Sequence, residues 1–481
     1  MLSLNPISRH EFTPAQYLVM GYLAVIIIGT ILLTLPIATT AEGSLDIISA
    51  LFTATSATCV TGLIVLNTST AFTVFGQVVI MILIQIGGLG IMTMSTMMAF
   101  IIGKKISLRE RLIIQEDLNQ FKISGVVRLV WYVIAVAFTI QGIGVLILFT
   151  RLIKDYNFIR AIYFSIFHAV SAFNNAGFDL FGNSLENYIG DPTINLVIMG
   201  LIIIGGIGFA VIAELYNSFH NNCSLMRDEL NLKEKSFKQK INSISNYIRK
   251  NKFIAIRKTS LQTKIVLLIT LILIMVGFLS FFALEYTNEA TIANLDFGEK
   301  VLSSLFLSVT PRTAGFNTLP TGSLRSSTLF LIIVLMFIGA SPGSTGGGIK
   351  TTTFGVLLIT VWSLVTGKSD VEIFKRRVEQ DIIYKAVAII MLSLILVFFI
   401  TIILTVTEGM PFLTVFFEAV SAFGTVGLST GITPDLSNTG RLLITITMFA
   451  GRVGPLTLAV AFAERRSNAR YHYPKEKIMV G

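Results

Sequence analysis

Two stretches of the chain decide its fold: Phe167-His-Ala-Val-Ser-Ala-Phe-Asn-Asn-Ala-Gly-Phe178 and Phe417-Glu-Ala-Val-Ser-Ala-Phe-Gly-Thr-Val-Gly-Leu428. They are identical at seven of their twelve positions. A third stretch, Phe52-Thr-Ala-Thr-Ser-Ala-Thr-Cys-Val-Thr-Gly-Leu63, matches the second of them at six positions, and a fourth copy ends in Thr313-Ala-Gly-Phe316. Repetition of this kind predicts a fold assembled from copies of one unit.

The segments around each copy follow one order. An apolar run long enough to cross a membrane comes first, followed by a short apolar helix, the glycine-containing stretch and a second apolar run. A spanning helix needs about 20 apolar residues, so the short helices suit re-entrant segments. The candidate spans are Tyr17–Pro36, Val74–Ile102, Val127–Leu148, Ile194–Leu215, Lys264–Leu284, Thr328–Ile338, Ala386–Val406 and Leu442–Phe462. The short helices are Asp46–Thr58, Phe158–Phe173, Val301–Thr310 and Pro411–Phe423.

This order predicts an all-α polytopic membrane protein with four covalently linked M1-P-M2 repeats, as in potassium channels. Non-helical backbone is tolerated at membrane depth only where protein buries it or water lines it, so four matched loops favour one central pore over separate surface loops. We expect about eight spanning helices and four pore helices. The predicted boundaries are 1–105 for repeat one, 106–220 for repeat two, 221–260 for a cytoplasmic connector, 261–367 for repeat three with a broken second helix and gating loop, and 368–481 for repeat four with a cytoplasmic C-terminus.

Composition and charge agree with a chain dissolved in lipid. Of the 481 residues, 53% are hydrophobic and only 13% are charged, whereas soluble domains carry about 25% charged residues. Most of the 37 Lys and Arg residues lie in the N-terminus, three polar loops and the C-terminal segment. Because cytoplasmic loops retain positive charge, both termini are predicted to be cytoplasmic. These basic residues flank spans and lack interleaved aromatics, so no nucleic-acid partner is expected.

The glycine-ended stretches predict a selectivity filter. Backbone carbonyls can replace the water shell of a cation in a narrow pore, and glycine allows the positive φ that turns a carbonyl toward the axis. The predicted filter residues are Val60, Thr61, Gly62, Asn175, Ala176, Gly177, Thr313, Ala314, Gly315, Thr425, Val426 and Gly427. Potassium ions are expected at the backbone carbonyls of Thr61, Ala176, Ala314 and Val426.

The second apolar run of repeat three predicts a broken helix. The run 328–366 has 39 residues, which as one helix would measure about 58 Å, nearly twice the hydrocarbon thickness. Its middle, 339–348, contains five glycines and one proline, so two half-helices joined by an intramembrane loop are predicted. Lys350, directly after the loop, either anchors it or points to the cytoplasm.

Arg452 lies inside the last apolar run, where a buried arginine is costly and usually functional or paired. Its guanidinium can donate to loop carbonyls. The alternative is that Arg452 pairs with an acidic residue or reaches the membrane interface.

Three other residues lie near the filters, and the sequence does not decide their roles. Glu418 either attracts cations or ties its pore helix to nearby backbone, His168 occupies the same repeat position, and Arg312 is expected to point away from the axis.

These motifs together resemble those of the Trk/Ktr/HKT superfamily of potassium transporters, most closely its bacterial Ktr branch, over nearly the entire chain. The resemblance implies potassium uptake through one pore of pseudo-fourfold symmetry, in a bacterial plasma membrane. It also implies a gate in which Arg452 holds the glycine-rich loop. The gate residues so assigned are Gly343, Gly346, Gly347, Gly348, Lys350 and Arg452.

The same resemblance implies partners and cofactors. The chain would form a homodimer in the lipid bilayer on a KtrA-like cytoplasmic ring of RCK regulatory subunits, and nucleotide would bind only to that separate ring. No covalently bound cofactor is expected. Potassium would be the transported ion, and sodium as an activator stays open.

Two other classes of function compete with potassium uptake through a pore. A sodium-coupled or sodium-selective transporter with alternating access remains the alternative, because broken helices and repeats occur there as well. An enzyme is not expected, since the chain has no His-Glu metal motif, no Gly-x-Ser-x-Gly elbow and no phosphate-binding loop.

Overall fold

The computed structural model describes residues 12–40, 43–101, 106–117, 126–218, 259–368, 370–462 and 476. Within these ranges the chain is mostly helical, and its two short strands, Glu372–Ile373 and Arg376–Arg377, form a small antiparallel hairpin. The predicted connector 221–260 lies outside the described residues except for Thr259 and Ser260. A short helix, Leu108–Asp117, lies at the start of repeat two, before its first long helix.

Each repeat begins with a long helix, which we call its outer helix. These four helices are long and apolar enough to cross a membrane. The first has 21 residues and the last has 29, which at about 1.5 Å per residue reaches or exceeds the hydrocarbon thickness of about 30 Å. They expose large apolar side chains along their length, as lipid-facing helices do. The outer helices are Pro14–Thr34, Val126–Leu152, Leu261–Glu285 and Gln380–Glu408.

A short pore helix follows each outer helix. The pore helices have 12 to 16 residues, too few to cross a membrane, and their C-terminal ends are fully buried. The third one begins earlier than predicted, because Asp296 and Glu299 form a capping box at its start. Asp296 and Glu299 in the sequence could therefore have indicated this earlier start. The pore helices are Ile47–Thr58, Phe158–Phe173, Phe297–Val309 and Phe412–Gly424.

The second helix of each repeat, its inner helix, is interrupted in all four repeats. The sequence predicted a break only in repeat three and continuous spans elsewhere, and the continuous spans were wrong. Gly90, Gly208 and Gly454 interrupt the others with φ of 88°, 101° and 92°, a conformation that a right-handed helix cannot contain. In repeat two the halves are bent by 96°. The halves are Val74–Leu89 and Ile91–Ile101, Pro192–Ile207 and Phe209–Ser218, Ser326–Phe337 and Thr351–Val365, and Asn438–Val453 and Pro455–Phe462.

In repeats one, two and four, a glycine brings the inner helix against the end of a pore helix. A Cβ atom built on Gly87 would lie 1.9 Å from the carbonyl oxygen of Thr58, at the C-terminus of the pore helix in the same repeat. The equivalent distances are 2.0 Å from Gly205 to Phe173 and 1.9 Å from Gly451 to Phe423. Any side chain at these positions would collide with backbone. The glycine pattern therefore sets how closely the pore helices approach the inner helices.

We expect Gly205→Ala to destabilise the protein, because the added methyl group meets the Phe173 carbonyl and overpacking costs about 1–3 kcal/mol. Gly200→Ala is the matched control: it lies on the same helix, and a Cβ there has open space. Alanine favours a helix interior over glycine by about 1 kcal/mol, so the control should be neutral or stabilising. Thermal unfolding of the detergent-solubilised protein measures both, and equal midpoints would contradict this packing.

Candidate functional site

The four glycine-centred turns share one unusual backbone conformation. Each turn has positive φ at its glycine and again two residues earlier. Three of the four residues at the earlier position are β-branched, and such residues rarely adopt a positive φ. This conformation costs on the order of 1–3 kcal/mol and persists only where the surrounding structure imposes it. The glycines are Gly62 (91°), Gly177 (71°), Gly315 (76°) and Gly427 (89°). The residues two positions earlier are Val60 (57°), Asn175 (59°), Thr313 (66°) and Thr425 (50°).

The four turns close into a ring in which each repeat touches the next. The contact is the same at every step: a Cβ atom built on one glycine would meet the carbonyl oxygen just before the glycine of the following repeat. These distances are 2.5 Å from Gly62 to Ala176, 2.9 Å from Gly177 to Ala314, 2.4 Å from Gly315 to Val426 and 2.1 Å from Gly427 to Thr61. The ring returns to its start, so the twelve predicted filter residues are brought together around a single axis.

A hydroxyl group from each pore helix braces its turn, a feature that the sequence reasoning missed. Ser56 donates to the carbonyl of Leu63 and accepts from the amide of Gly62. In repeats two and three, Ser171 and Thr310 donate to the carbonyl that follows the glycine. In repeat four, Ser421 accepts from the amide of Gly427. The signal was present, because the serine is identical in three of the repeat copies.

Repeat three follows the same plan with one residue fewer. A buried phenylalanine precedes the bracing hydroxyl by four residues in every repeat, which aligns Thr310 with the three serines. Thr310 stands five residues before its glycine, whereas the serines stand six before theirs. The phenylalanines are Phe52, Phe167, Phe306 and Phe417. This shortening explains why the copy in repeat three is hard to recognise in the residues before Thr313.

Polar side chains next to the ring tie the turns together. Asn175 donates to the hydroxyl of Thr313 at 3.0 Å and to the carbonyl of Arg312 at 3.2 Å, which links repeats two and three. The guanidinium of Arg312 is buried and donates to the carbonyl of Thr270, on the outer helix of repeat three. Its charge therefore points away from the ring.

Glu418 and His168 fasten their pore helices to the chain that follows each filter. Glu418 accepts from the hydroxyl of Thr433, and His168 accepts from the amide of Leu180 at 3.2 Å while its other ring nitrogen contacts the carbonyl of Phe164. Both side chains are fully buried. These contacts favour the structural interpretation for each residue.

The loop 338–350 packs directly against the filter turns. A Cβ atom on Gly346 would lie 2.1 Å from the hydroxyl oxygen of Thr313, and the amide of Gly347 donates to the hydroxyl of Thr425 at 2.9 Å. Nothing larger than glycine fits between the loop and the turns at Gly346. The loop therefore lies directly against the turns of repeats three and four.

Backbone hydrogen bonds hold this loop to the inner helices of two other repeats. The amides of Ser341 and Thr345 donate to the carbonyls of Gly206 and Gly205 in repeat two, at 3.0 and 3.3 Å. The amide of Gly348 donates to the carbonyl of Gly451 in repeat four at 3.3 Å. The non-helical backbone is thus satisfied by protein, as membrane depth requires.

Arg452 connects the loop to repeat one. Its guanidinium donates to the carbonyls of Thr345 in the loop and Gly87 in the inner helix of repeat one. The Nε atom donates to the hydroxyl of Tyr22, in the first outer helix, at 3.3 Å. Within the described part of the chain it forms no ion pair with a carboxylate. Tyr22 carries no motif that would have revealed this contact.

Lys350 reaches back onto the loop rather than away from it. Its ammonium donates to the carbonyl of Gly346 at 2.8 Å. Lys350 and Arg452 both line a cavity of about 120 Å³ between the loop and the breaks at Gly90 and Gly454. The predicted gate residues therefore lie together, with two cationic side chains where the loop meets the inner helices.

The fold and this site define a multi-pass membrane protein in which four pore-loop repeats meet in one ring of glycine-centred turns, with the loop 338–350 packed against that ring. The family model TrkH, described as cation transport protein, matches residues 6–472. The chain belongs to this family of cation transport proteins.

Individual relatives cover almost the full chain. It is 46% identical over 472 residues to a Ktr system potassium uptake protein B from Bacillus subtilis, covering 98% of this chain and 97% of that protein. It is 38% identical to a potassium/sodium uptake protein NtpJ from Enterococcus hirae, covering 98% of each. The solved potassium transporter TrkH from Vibrio parahaemolyticus superposes with a TM-score of 0.66 at 18% identity, over 95% of this chain and 87% of that one.

These findings confirm the predicted family resemblance and the predicted fold class of four pore-loop repeats. They also agree with the expectation that the chain is not an enzyme, since the family consists of transport proteins.

Proposed function

We propose that this protein takes up potassium through the ring of filter turns, with the carbonyls of Thr61, Ala176, Ala314 and Val426 coordinating the ion. The observation that carries the proposal is the closed ring, in which four equivalent strained turns meet. Carbonyl oxygens at such a ring can replace the water of a bare cation. The relatives named above are described as potassium or potassium/sodium uptake proteins, which supports the choice of ion.

A carrier with alternating access is less well supported. Such folds place their substrate near the midplane between two repeats, whereas here four turns close one ring. The single ring favours conduction along an axis, and the glycine at every turn favours backbone rather than side-chain coordination. The alternative function also includes selectivity for sodium, and a substitution in the ring of turns can test that selectivity directly.

We expect Gly62→Ser to reduce the preference for potassium over sodium by about tenfold, equivalent to about 1.4 kcal/mol of discrimination. A side chain at φ of 91° is strained, and its Cβ would meet the Ala176 carbonyl at 2.5 Å, so that part of the ring must shift. Uptake of each ion by potassium-transport-deficient cells measures the ratio. Gly142→Ser, on the outer helix of repeat two with open space around it, is the control. Unchanged selectivity in Gly62→Ser would count against a ring built on backbone carbonyls.

We further propose that the loop 338–350 is the gate and that Arg452 holds it closed. Three observations support this: the loop packs on Thr313 and Thr425, Arg452 donates to the carbonyl of Thr345, and Lys350 donates to the carbonyl of Gly346. A positive charge near the axis also repels cations until it moves. Opening then requires that the bonds from Arg452 to the loop break.

Arg452→Ala should raise potassium flux by about tenfold or more, because hydrogen bonds to a charged group contribute about 1.5–3 kcal/mol each. Deletion of Gly346–Gly348 should raise it as well, since that segment abuts the filter. Arg441→Ala is the control: it removes an arginine of the same inner helix that bonds to Pro434 and Ser49, away from the loop. Flux through purified protein in liposomes is the measurement, and wild-type flux in both gate variants would exclude this gate.

The assembly belongs to the same proposal. We propose a homodimer in the bacterial plasma membrane with cytoplasmic termini, controlled by a separate RCK-type ring that binds nucleotide, with sodium as a candidate activator. The basic loops and termini support this sidedness. Potassium uptake in transport-deficient cells, with and without a co-expressed regulatory subunit and with and without sodium, tests it. If the regulatory subunit leaves potassium uptake unchanged, control by an RCK-type ring is contradicted.

A further inference from the structure

Arg160 is a cation that neither the filter nor the gate uses. It lies in the first turn of the pore helix of repeat two, which Asn157 caps. Its guanidinium rests against the rings of Tyr156 and Phe164, 5.3 and 5.1 Å from their centroids. In the portion of the chain that the structure describes, no carboxylate pairs with it. The two rings hold the charge in place and leave its N–H groups open.

Beside Arg160 a cavity of about 560 Å³ opens between repeats one and two. Its lining is mainly apolar, from Val74, Ile159 and Leu180 among others. Its polar floor is already satisfied internally, because Tyr163 donates to the side-chain oxygen of Gln77 at 2.9 Å. The open N–H groups of Arg160 are therefore the main polar feature available to a ligand.

The cavity faces the lipid rather than the pathway. Ile159 is 78% exposed and Val74 is 65% exposed, and each lies in the first turn of its apolar helix. The site lies near the end of the outer helix Val126–Leu152 and at the first residue of the inner helix Val74–Leu89. Helices that cross a membrane end near the boundary between hydrocarbon and headgroups, so a site at two helix ends suits a headgroup.

We propose that this cavity binds one phospholipid with an anionic headgroup, its phosphate on Arg160 and an acyl chain in the apolar groove. An arginine fork matches phosphate oxygens in charge and geometry. The apolar lining, continuous with the lipid-facing surface, suits an acyl chain and gives a soluble phosphate nothing to contact. The bound lipid would fill the seam between repeats one and two, next to the pore helix that precedes Asn175 and Gly177.

Native mass spectrometry of the full-length protein in detergent, titrated with phosphatidylglycerol, tests this. We expect one tightly bound lipid per chain, and weaker binding of phosphatidylcholine, which carries no net charge. Arg160→Gln should weaken phosphatidylglycerol binding by about tenfold, through loss of a charge-assisted bond. Lys154→Gln, an exposed cation of the preceding loop outside the cavity, should leave binding unchanged.

A groove-filling variant separates the lipid from other occupants. Val74→Trp, at an exposed position that lines the cavity, keeps Arg160 but should displace the acyl chain and weaken lipid binding. Full competition by inorganic phosphate would overturn the proposal in favour of a free-anion site. A shift from dimer to monomer in Arg160→Gln would assign the groove to a second copy of the chain. Equal binding by wild type, Arg160→Gln and Val74→Trp would exclude the site altogether.

Discussion

The approach of four glycine-centred turns to one another is the constraint on which the rest of the structure depends. Each glycine stands where a Cβ atom would enter the neighbouring repeat, at 2.1 to 2.9 Å from its carbonyl oxygen. Backbone held this closely in the apolar part of a membrane must be satisfied by protein. The pore helices, their bracing hydroxyls and the glycines of the inner helices all serve to hold the turns in contact.

Repeat three departs from the other three repeats, and its departure produces the loop 338–350. Its turn is one residue shorter, and its inner helix is separated into halves by a whole loop, where the others are interrupted at one glycine. Gly339 packs on the carbonyl of Gly347 in that loop, whereas the corresponding glycines pack on pore-helix carbonyls. A glycine that lets backbone approach closely therefore packs on a pore helix in repeats one, two and four. In repeat three it packs on the loop.

Arg452 joins repeat four to the loop of repeat three and to repeat one through neutral acceptors. Its guanidinium is bound by carbonyl oxygens of two repeats and by a tyrosine hydroxyl, within the described residues, rather than by a carboxylate. Neutral acceptors satisfy its donors without cancelling its charge. Its positive charge is therefore retained where the loop 338–350 meets the inner helices of repeats one and four.

The sequence by itself determined the four repeats, the pore helices, the filter glycines and the broken helix of repeat three. These follow from apolar run lengths and from residue types that restrict local backbone, which are properties of the chain over a few residues. Only the tertiary structure decided the ring order, the breaks at Gly90, Gly208 and Gly454, and the contact of Arg452 with Tyr22. A single glycine in an apolar run is compatible with a continuous helix, and whether it breaks depends on residues far away in the chain that pack against it. The partners of a buried arginine are likewise set by distant backbone, which no local pattern records.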